Sequence, residues 1–212
     1  MSASIDIFPV EILDFTFDQV IKLSQHNLDA FLDSIDVHKQ VKLKAKLYDK
    51  KGTLKPFSLD DRFQWDVEDE TLMFSLENVY GVLEAYNEPI KEPGCPNPWW
   101  PLDVIIQPQN PIEDVESKVE KIKRLNWYWY IRCQWSNPSI MYLTCGMIAA
   151  AIAELSSGLI YTDDAWDPRH FPATYTEFLD FYYRKSKGTW FYKIAKESPN
   201  EIREELKHLP EK

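Results

Sequence analysis

Glycine is scarce in this chain. Six glycines are spread over 212 residues, and no two of them are close enough to form a glycine-rich loop. Phosphate-binding loops need closely spaced glycines, because their backbone amides must approach the phosphate. The sequence also contains no G-x-S-x-G motif and no Cys–His signature of a nucleophilic enzyme. We therefore expect a protein that is not an enzyme.

Metal-binding side chains are equally sparse. The three cysteines (Cys95, Cys133 and Cys145) and the four histidines are scattered without the spacing of a zinc site. An odd number of cysteines with no close pairing is typical of a reducing compartment. Cys145 lies in an apolar segment, and we interpret it as a small core residue rather than a nucleophile. We expect no metal and no cofactor.

Long apolar runs are absent as well. The most apolar run, residues 140–153, is shorter than the about 20 residues that a membrane-spanning helix needs. It contains Gly146 and is followed by Glu154, as is typical of a buried helix. Residues 1–6 lack the basic and apolar regions of a secretory signal. The sequence therefore predicts a cytoplasmic protein with no membrane partner.

Basic residues are outnumbered, with 34 Asp and Glu against 24 Lys and Arg and a net charge of −10. Such a surface repels phosphate, which argues against a nucleic-acid partner. It suits a basic protein partner, because complementary fields accelerate association. Residues 39–55 carry seven lysines against one aspartate, whereas residues 60–70 carry six acids against one arginine. We expect these two segments to neutralise each other across a turn.

The patterns in the first part of the chain predict helices and strands. Hydrophobic residues make up 44% of the chain and aromatic residues 14%, which is ample for a core. Thr16–Gln19 forms a capping box, and the following apolar residues recur with helical spacing up to Ile35. Residues 41–47 alternate apolar residues with lysines, the period of an antiparallel strand. Residues 5–13 predict an edge or bulged strand, because Pro9 interrupts them.

The later elements are clearer. We predict a strand at residues 102–106, a helix at 112–125, a strand at 127–135, a buried helix at 140–155 and a strand at 159–161. Gly158 follows the buried helix where a left-handed residue is expected. The fold class is α+β, with mixed or antiparallel sheets and helices packed on one face. The element order is also compatible with two ferredoxin-like halves.

A proline-rich segment separates the two parts of the chain. Residues 88–101 contain five prolines and cannot form a regular helix or strand. We read residues 1–87 as an N-terminal half, 88–101 as a crossover and 102–212 as a C-terminal half, which can also pack as one domain. Trp99 and Trp100 lie in the crossover and are candidate partner-binding residues, because tryptophan is enriched at interface hot spots.

A second candidate site is the loop in which Asp163, Asp164 and Asp167 surround Trp166. Carboxylates bind Ca²⁺ and Mg²⁺, but the alternating acids and the glycine of a calcium loop are missing. The capping box Thr174–Glu177 follows the loop and favours a structural connection between a strand and a helix. Partner binding through these four residues is the second explanation, and metal binding is the least favoured.

The C-terminal half carries a resemblance to a known class of proteins. Residues 158–167 read GLIYTDDAWD, followed by Phe171-Pro-Ala-Thr and a helix with Phe178 and Phe181. In these segments the chain resembles small cytoplasmic α+β immunity proteins, which accompany bacterial polymorphic and contact-delivered toxins. The resemblance implies a protein that binds one cognate toxin and has no catalysis of its own.

We therefore expect an immunity protein that neutralises a cognate, basic protein toxin by direct binding. One alternative is a metal-assisted hydrolase that uses Asp163, Asp164 and Asp167. Another is a phage-borne or adaptor scaffold protein, which would bind a partner that has no toxic activity.

Overall fold

Seven strands form one antiparallel sheet in the computed structural model, which describes residues 2–11, 14–65, 69–90, 102, 112–134, 136–162, 172–183 and 199–212. The strands are β1 (Ser2–Phe8), β2 (Leu43–Asp49), β3 (Leu54–Lys55), β4 (Glu70–Leu76), β5 (Leu83–Pro89), β6 (Trp127–Gln134) and β7 (Leu159–Tyr161). The helices are α1 (Phe17–Ser34), α2 (Val115–Leu125), α3 (Ser139–Leu155), α4 (Tyr175–Tyr183) and α5 (Pro199–Leu206). The α+β class is confirmed. Within the described ranges, no helix is long and apolar enough to span a bilayer.

The sheet combines strands from both parts of the chain. Its order is β3-β2-β4-β5-β6-β1-β7, and Ile7 of β1 lies opposite Trp129 on one side and Ile160 on the other. The described strands therefore form a single sheet rather than two ferredoxin-like halves. The prediction of an edge or bulged strand over residues 5–13 is also wrong, because β1 pairs in regular register on both sides. Strand β1 lies inside the sheet and ends at Phe8, so the missing N–H of proline never enters the ladder.

Helix α1 begins at the predicted capping box. The Thr16 backbone N–H donates to Gln19 Oε1 at 2.8 Å, and the Gln19 backbone N–H donates to Thr16 Oγ1 at 3.3 Å. One face of the helix is buried against the sheet and α3. Its buried apolar residues are those of the predicted stripe: Phe17, Val20, Leu28, Phe31 and Leu32.

Helix α3 is the centre of the core, as predicted. Every residue from Ile140 to Ala153 is buried. It packs against α1, α4, α5, β1 and β6. Pro138 precedes the helix and offers no side-chain cap. Instead, Glu205 of α5 accepts the backbone N–H groups of Ser139 at 2.8 Å and Ile140 at 3.0 Å. A distant helix thus caps α3.

The left-handed residue after α3 is Ser157, with φ of 49°, and not Gly158 as predicted. The N–H of Gly158 bonds to the Ala153 carbonyl at 2.7 Å and that of Ser157 to the Glu154 carbonyl at 3.3 Å. This is a Schellman motif that starts one residue earlier than expected. Gly158 is needed for a different reason, because a Cβ there would lie 2.7 Å from the Phe8 carbonyl oxygen.

Helix α2 departs from the prediction that the helices pack on one face. Successive residues of a strand point to opposite faces, and Ile7 belongs to the core shared with α1 and α3. Phe8 belongs to a second cluster with Val119 and Ile122 of α2 and Leu159 of β7. Helix α2 therefore covers the opposite face of the sheet, at its β6-β1-β7 end. The predicted strand at 102–106 lies outside the described residues, except for the buried Leu102.

Candidate partner-binding surface

The predicted site residues all lie outside the described part of the chain. These are Asp163, Asp164, Trp166, Asp167, Trp99 and Trp100. The structure does describe both ends of the acidic loop. Ile160 and Ala173 exchange two backbone hydrogen bonds, at 2.8 and 2.9 Å. Residues 163–171 thus connect two backbone segments that are paired with each other.

The predicted capping box after this loop is confirmed. Thr174 donates its backbone N–H to Glu177 Oε2 at 2.8 Å, and the Glu177 N–H donates to Thr174 Oγ1 at 3.4 Å. Phe178 in the following helix is fully buried. The capping box and the buried Phe178 therefore support the explanation that this segment connects a strand to a helix, at the helix end of the connection.

A row of tyrosines and charged residues covers the outer face of β5 and β6, opposite the main core. We call it the tyrosine face, and its residues are Glu84, Tyr86 and Glu88 of β5 with Tyr128, Tyr130 and Arg132 of β6. The alternate residues of the same strands, such as Leu83 and Ile131, are buried in the core. The register places Glu84 opposite Arg132, Tyr86 opposite Tyr130 and Glu88 opposite Tyr128.

The aromatic rings of this face form a continuous row, in which two neighbouring pairs are stacked and one is tilted. The Tyr86 and Tyr130 ring centroids are 4.8 Å apart, with an interplanar angle of 19°. Tyr130 is 6.2 Å from Tyr128, which stacks on the buried Phe8 at 5.2 Å. Cross-strand aromatic pairs of this kind stabilise a sheet and hold each ring in place. The row leads from the buried cluster under α2 to the partly exposed Tyr86.

The carboxylates of the tyrosine face accept hydrogen bonds from the tyrosines. Tyr86 Oη donates to Glu84 Oε2 at 3.0 Å. Burial, followed by this bond to Glu84, raises the pKa of Tyr86 to about 12. Burial, followed by the charge of Glu88, also raises the pKa of Tyr130 above its usual value. Both hydroxyls therefore stay neutral near pH 7 and act as donors to the carboxylates.

The turn between β4 and β5 carries the most exposed large aromatic side chain of the described residues. Tyr80 is 77% exposed. Asn137 Nδ2 donates to the Val82 carbonyl at 2.8 Å, and His208 Nε2 donates to the Asn78 carbonyl at 2.8 Å. Gly81 has φ of 106°, which favours glycine, and a Cβ there would also clash with Asn137. The turn is therefore held on both sides.

Two ion pairs join the lysine-rich hairpin to the acidic segment that follows it, which agrees in part with the predicted neutralisation. Lys50 forms an ion pair with Asp69, and Lys55 forms one with Glu70. Lys50–Asp69 is an exposed pair and contributes little to stability, whereas the Glu70 side chain is only 10% exposed. Both pairs reduce the positive charge of the β2–β3 edge, which makes this strip a poor site for phosphate groups.

The two described cysteines are buried in the core. Burial raises the pKa of the Cys133 thiol to about 11 and raises that of Cys145 well above its usual range, so both stay protonated as core residues. No group of three or more metal-binding side chains occurs within the described ranges. A cavity of about 200 Å³ lies between the α1–β2 connection and α5. Charged side chains that line it already have partners, such as Lys39 with Glu211 and Arg203 with Asn200.

Sequence reasoning found only part of the tyrosine face. The alternation in residues 127–135 separates Tyr128, Tyr130 and Arg132 from the core residues, and β6 confirms it. The pattern around Tyr86 is ambiguous, so its strand was not predicted. The pairing of Tyr86 with Tyr130 depends on the sheet order, which no local signal reveals.

No protein-family model, curated protein or solved structure matches this chain.

Proposed function

We propose that this chain is a non-catalytic binding protein, an immunity protein that neutralises a basic cognate toxin by direct binding in the cytoplasm. The observation that carries the proposal is the tyrosine face. It presents ordered aromatic rings beside carboxylates on one side of a rigid sheet. Tyrosines supply large contact areas at a low entropic cost, and they are enriched among residues that dominate binding energy.

The charge of the face favours a protein over a nucleic acid. Aromatic rings on a sheet can also stack on bases, as in single-strand binding proteins. Here Glu84 and Glu88 flank the Tyr86–Tyr130 pair, and the whole chain carries a net charge of −10. Both features repel phosphate and attract a basic protein. The resemblance of the C-terminal half to immunity proteins supports the same conclusion.

The test is neutralisation of the product of the neighbouring gene. Co-expression of the chain should restore growth to cells that produce this protein, and the two should purify as a complex. The double variant Tyr86→Ala/Tyr130→Ala should weaken binding at least about tenfold, because a hot-spot truncation costs above roughly 1 kcal/mol per residue. Tyr175→Ala, on the helix side of the sheet, is the matched control and should bind normally.

Two outcomes would contradict the proposal. The first is the absence of both rescue and complex. The second is a Mg²⁺-dependent hydrolase activity of the purified chain that disappears in Asp163→Asn/Asp164→Asn. Thermal unfolding of every variant shows whether it is folded, so that lost binding is not confused with lost structure.

A further inference from the structure

We propose that the centre of the tyrosine face is a binding site for an arginine side chain of the partner. Its residues are Glu84, Tyr86, Glu88 and Tyr130. The inference rests on the proposed function, because it names the group that the partner presents to this face. The face would then bind a cationic, planar group and would not rely on apolar contact alone.

The strand geometry places two carboxylates around one ring. Glu84 and Glu88 lie on the same face of β5, one on each side of Tyr86. At about 3.4 Å per residue, each lies roughly 7 Å along the strand from the tyrosine. Tyr86 Oη donates to one oxygen of Glu84. A carboxylate has about four acceptor positions, so each retains capacity for a further donor.

Arg132 shows that a guanidinium fits beside these groups. Its Nη1 lies 3.8 Å from Glu84 Oε2, which is longer than a hydrogen bond, and its side chain is 47% exposed. Arg132 lies opposite Glu84 in the register and two residues from Tyr130 on the same face of β6. The pair is therefore loose and occupies only one end of the face.

The face still has an excess of negative charge. Among the described residues of β5 and β6, two carboxylates lie on it, those of Glu84 and Glu88, against the guanidinium of Arg132. An additional cation would bring the charges closer to balance. This excess is the reason that the face fits a basic side chain rather than a second neutral surface.

Arginine suits this arrangement better than lysine. Its planar guanidinium stacks on tyrosine rings and forms two parallel hydrogen bonds with a carboxylate. The stacked Tyr86–Tyr130 pair and the neighbouring carboxylates offer both kinds of contact. The ammonium of lysine is a compact point charge and uses only part of them.

The test uses short blocked peptides and the full chain. A Gly-Arg-Gly peptide is titrated while the ring resonances of Tyr86 and Tyr130 are followed by NMR, in parallel with Gly-Lys-Gly and Gly-citrulline-Gly. The arginine peptide should shift both tyrosines, the lysine peptide should do so more weakly, and citrulline, which lacks the charge, should do so least. Added salt should weaken the arginine effect.

Variants separate the site from general electrostatics. Glu84→Gln and Glu88→Gln should each weaken arginine-peptide binding about 1.5- to 5-fold, as expected for a partly exposed ion pair. Glu204→Gln removes the same charge from α5, on the other side of the sheet, and should change nothing. Equal binding of the citrulline peptide, or unchanged binding in both tyrosine-face variants, would overturn the proposal.

The peptide test does not involve a toxin, so the two proposals can fail separately. If the arginine peptide binds but the chain does not neutralise a toxin, the arginine site is supported and the immunity function is refuted. If neutralisation depends on Tyr86 but the three peptides bind equally, the immunity function is supported and the arginine site is refuted.

Discussion

Replacing Glu205 by alanine removes a cap that the buried helix α3 receives from another helix. The carboxylate of Glu205 accepts two backbone N–H groups, from Ser139 at 2.8 Å and from Ile140 at 3.0 Å. Pro138, at the capping position, has no hydrogen-bonding side chain. The first turn of α3 contains no acidic residue of its own. Glu205 therefore supplies both the acceptor and the negative charge that a helix N-terminus favours.

The expected loss is about 2 kcal/mol of unfolding free energy. Loss of a cap costs roughly 0.5–2 kcal/mol, and hydrogen bonds to a charged group are at the upper end of such effects. For a domain of this size, about 2 kcal/mol corresponds to a decrease in Tm of roughly 4–8 °C. Glu205→Gln keeps one acceptor oxygen and loses the charge, so it should cost about half as much.

Urea unfolding followed by circular dichroism measures this difference. Glu204→Ala is the matched control, because the Glu204 side chain is 72% exposed and its carboxylate forms an ion pair with the similarly exposed Lys207. It should stay within roughly 0.5 kcal/mol of the unaltered chain. If Glu205→Ala is no less stable than Glu204→Ala, the capping role assigned to Glu205 is incorrect.

Three further predictions concern the core, pH and the acidic loop. Leu143 is 2% exposed, and Leu143→Ala should lower the free energy of unfolding in urea by about 2–5 kcal/mol. Leu54 is 57% exposed, and Leu54→Ala should change this free energy by less than about 0.5 kcal/mol. Equal losses in the two variants would contradict the packing. The fold raises the pKa of Tyr86 from 10.0 to about 12, so the stability that the neutral hydroxyl contributes should be complete below pH 10 and lost as the pH rises towards 12. Tyr86→Phe should remove this loss from unfolding free energies measured over the same pH range. In stopped-flow experiments, Asp163→Lys/Asp164→Lys should slow association with a basic partner strongly at low salt and less at high salt. An unchanged association rate would show that these two aspartates take no part in partner binding.

The local elements were predictable because their signals are local. The capping box at Thr16 and Gln19, and the alternation that became β6, each depend on residues that are neighbours along the chain. The all-round apolar sequence of α3 likewise predicts burial without any knowledge of its partners. Errors began where a rule needed a structural context. Pro9 suggested an edge strand, yet β1 ends before it, and Gly158 was assigned the conformation that Ser157 adopts.

Only the tertiary structure decided which elements meet. The insertion of β1 between β6 and β7, the pairing of Tyr86 with Tyr130 and the capping of α3 by Glu205 all join segments far apart in the chain. The periodicity of a strand determines which residues share a face, but it does not determine which strand lies beside it. That choice depends on the burial of all apolar faces together. The sequence alone therefore determined an acidic α+β protein with a buried helix, and the fold decided where its tyrosines and carboxylates form one surface.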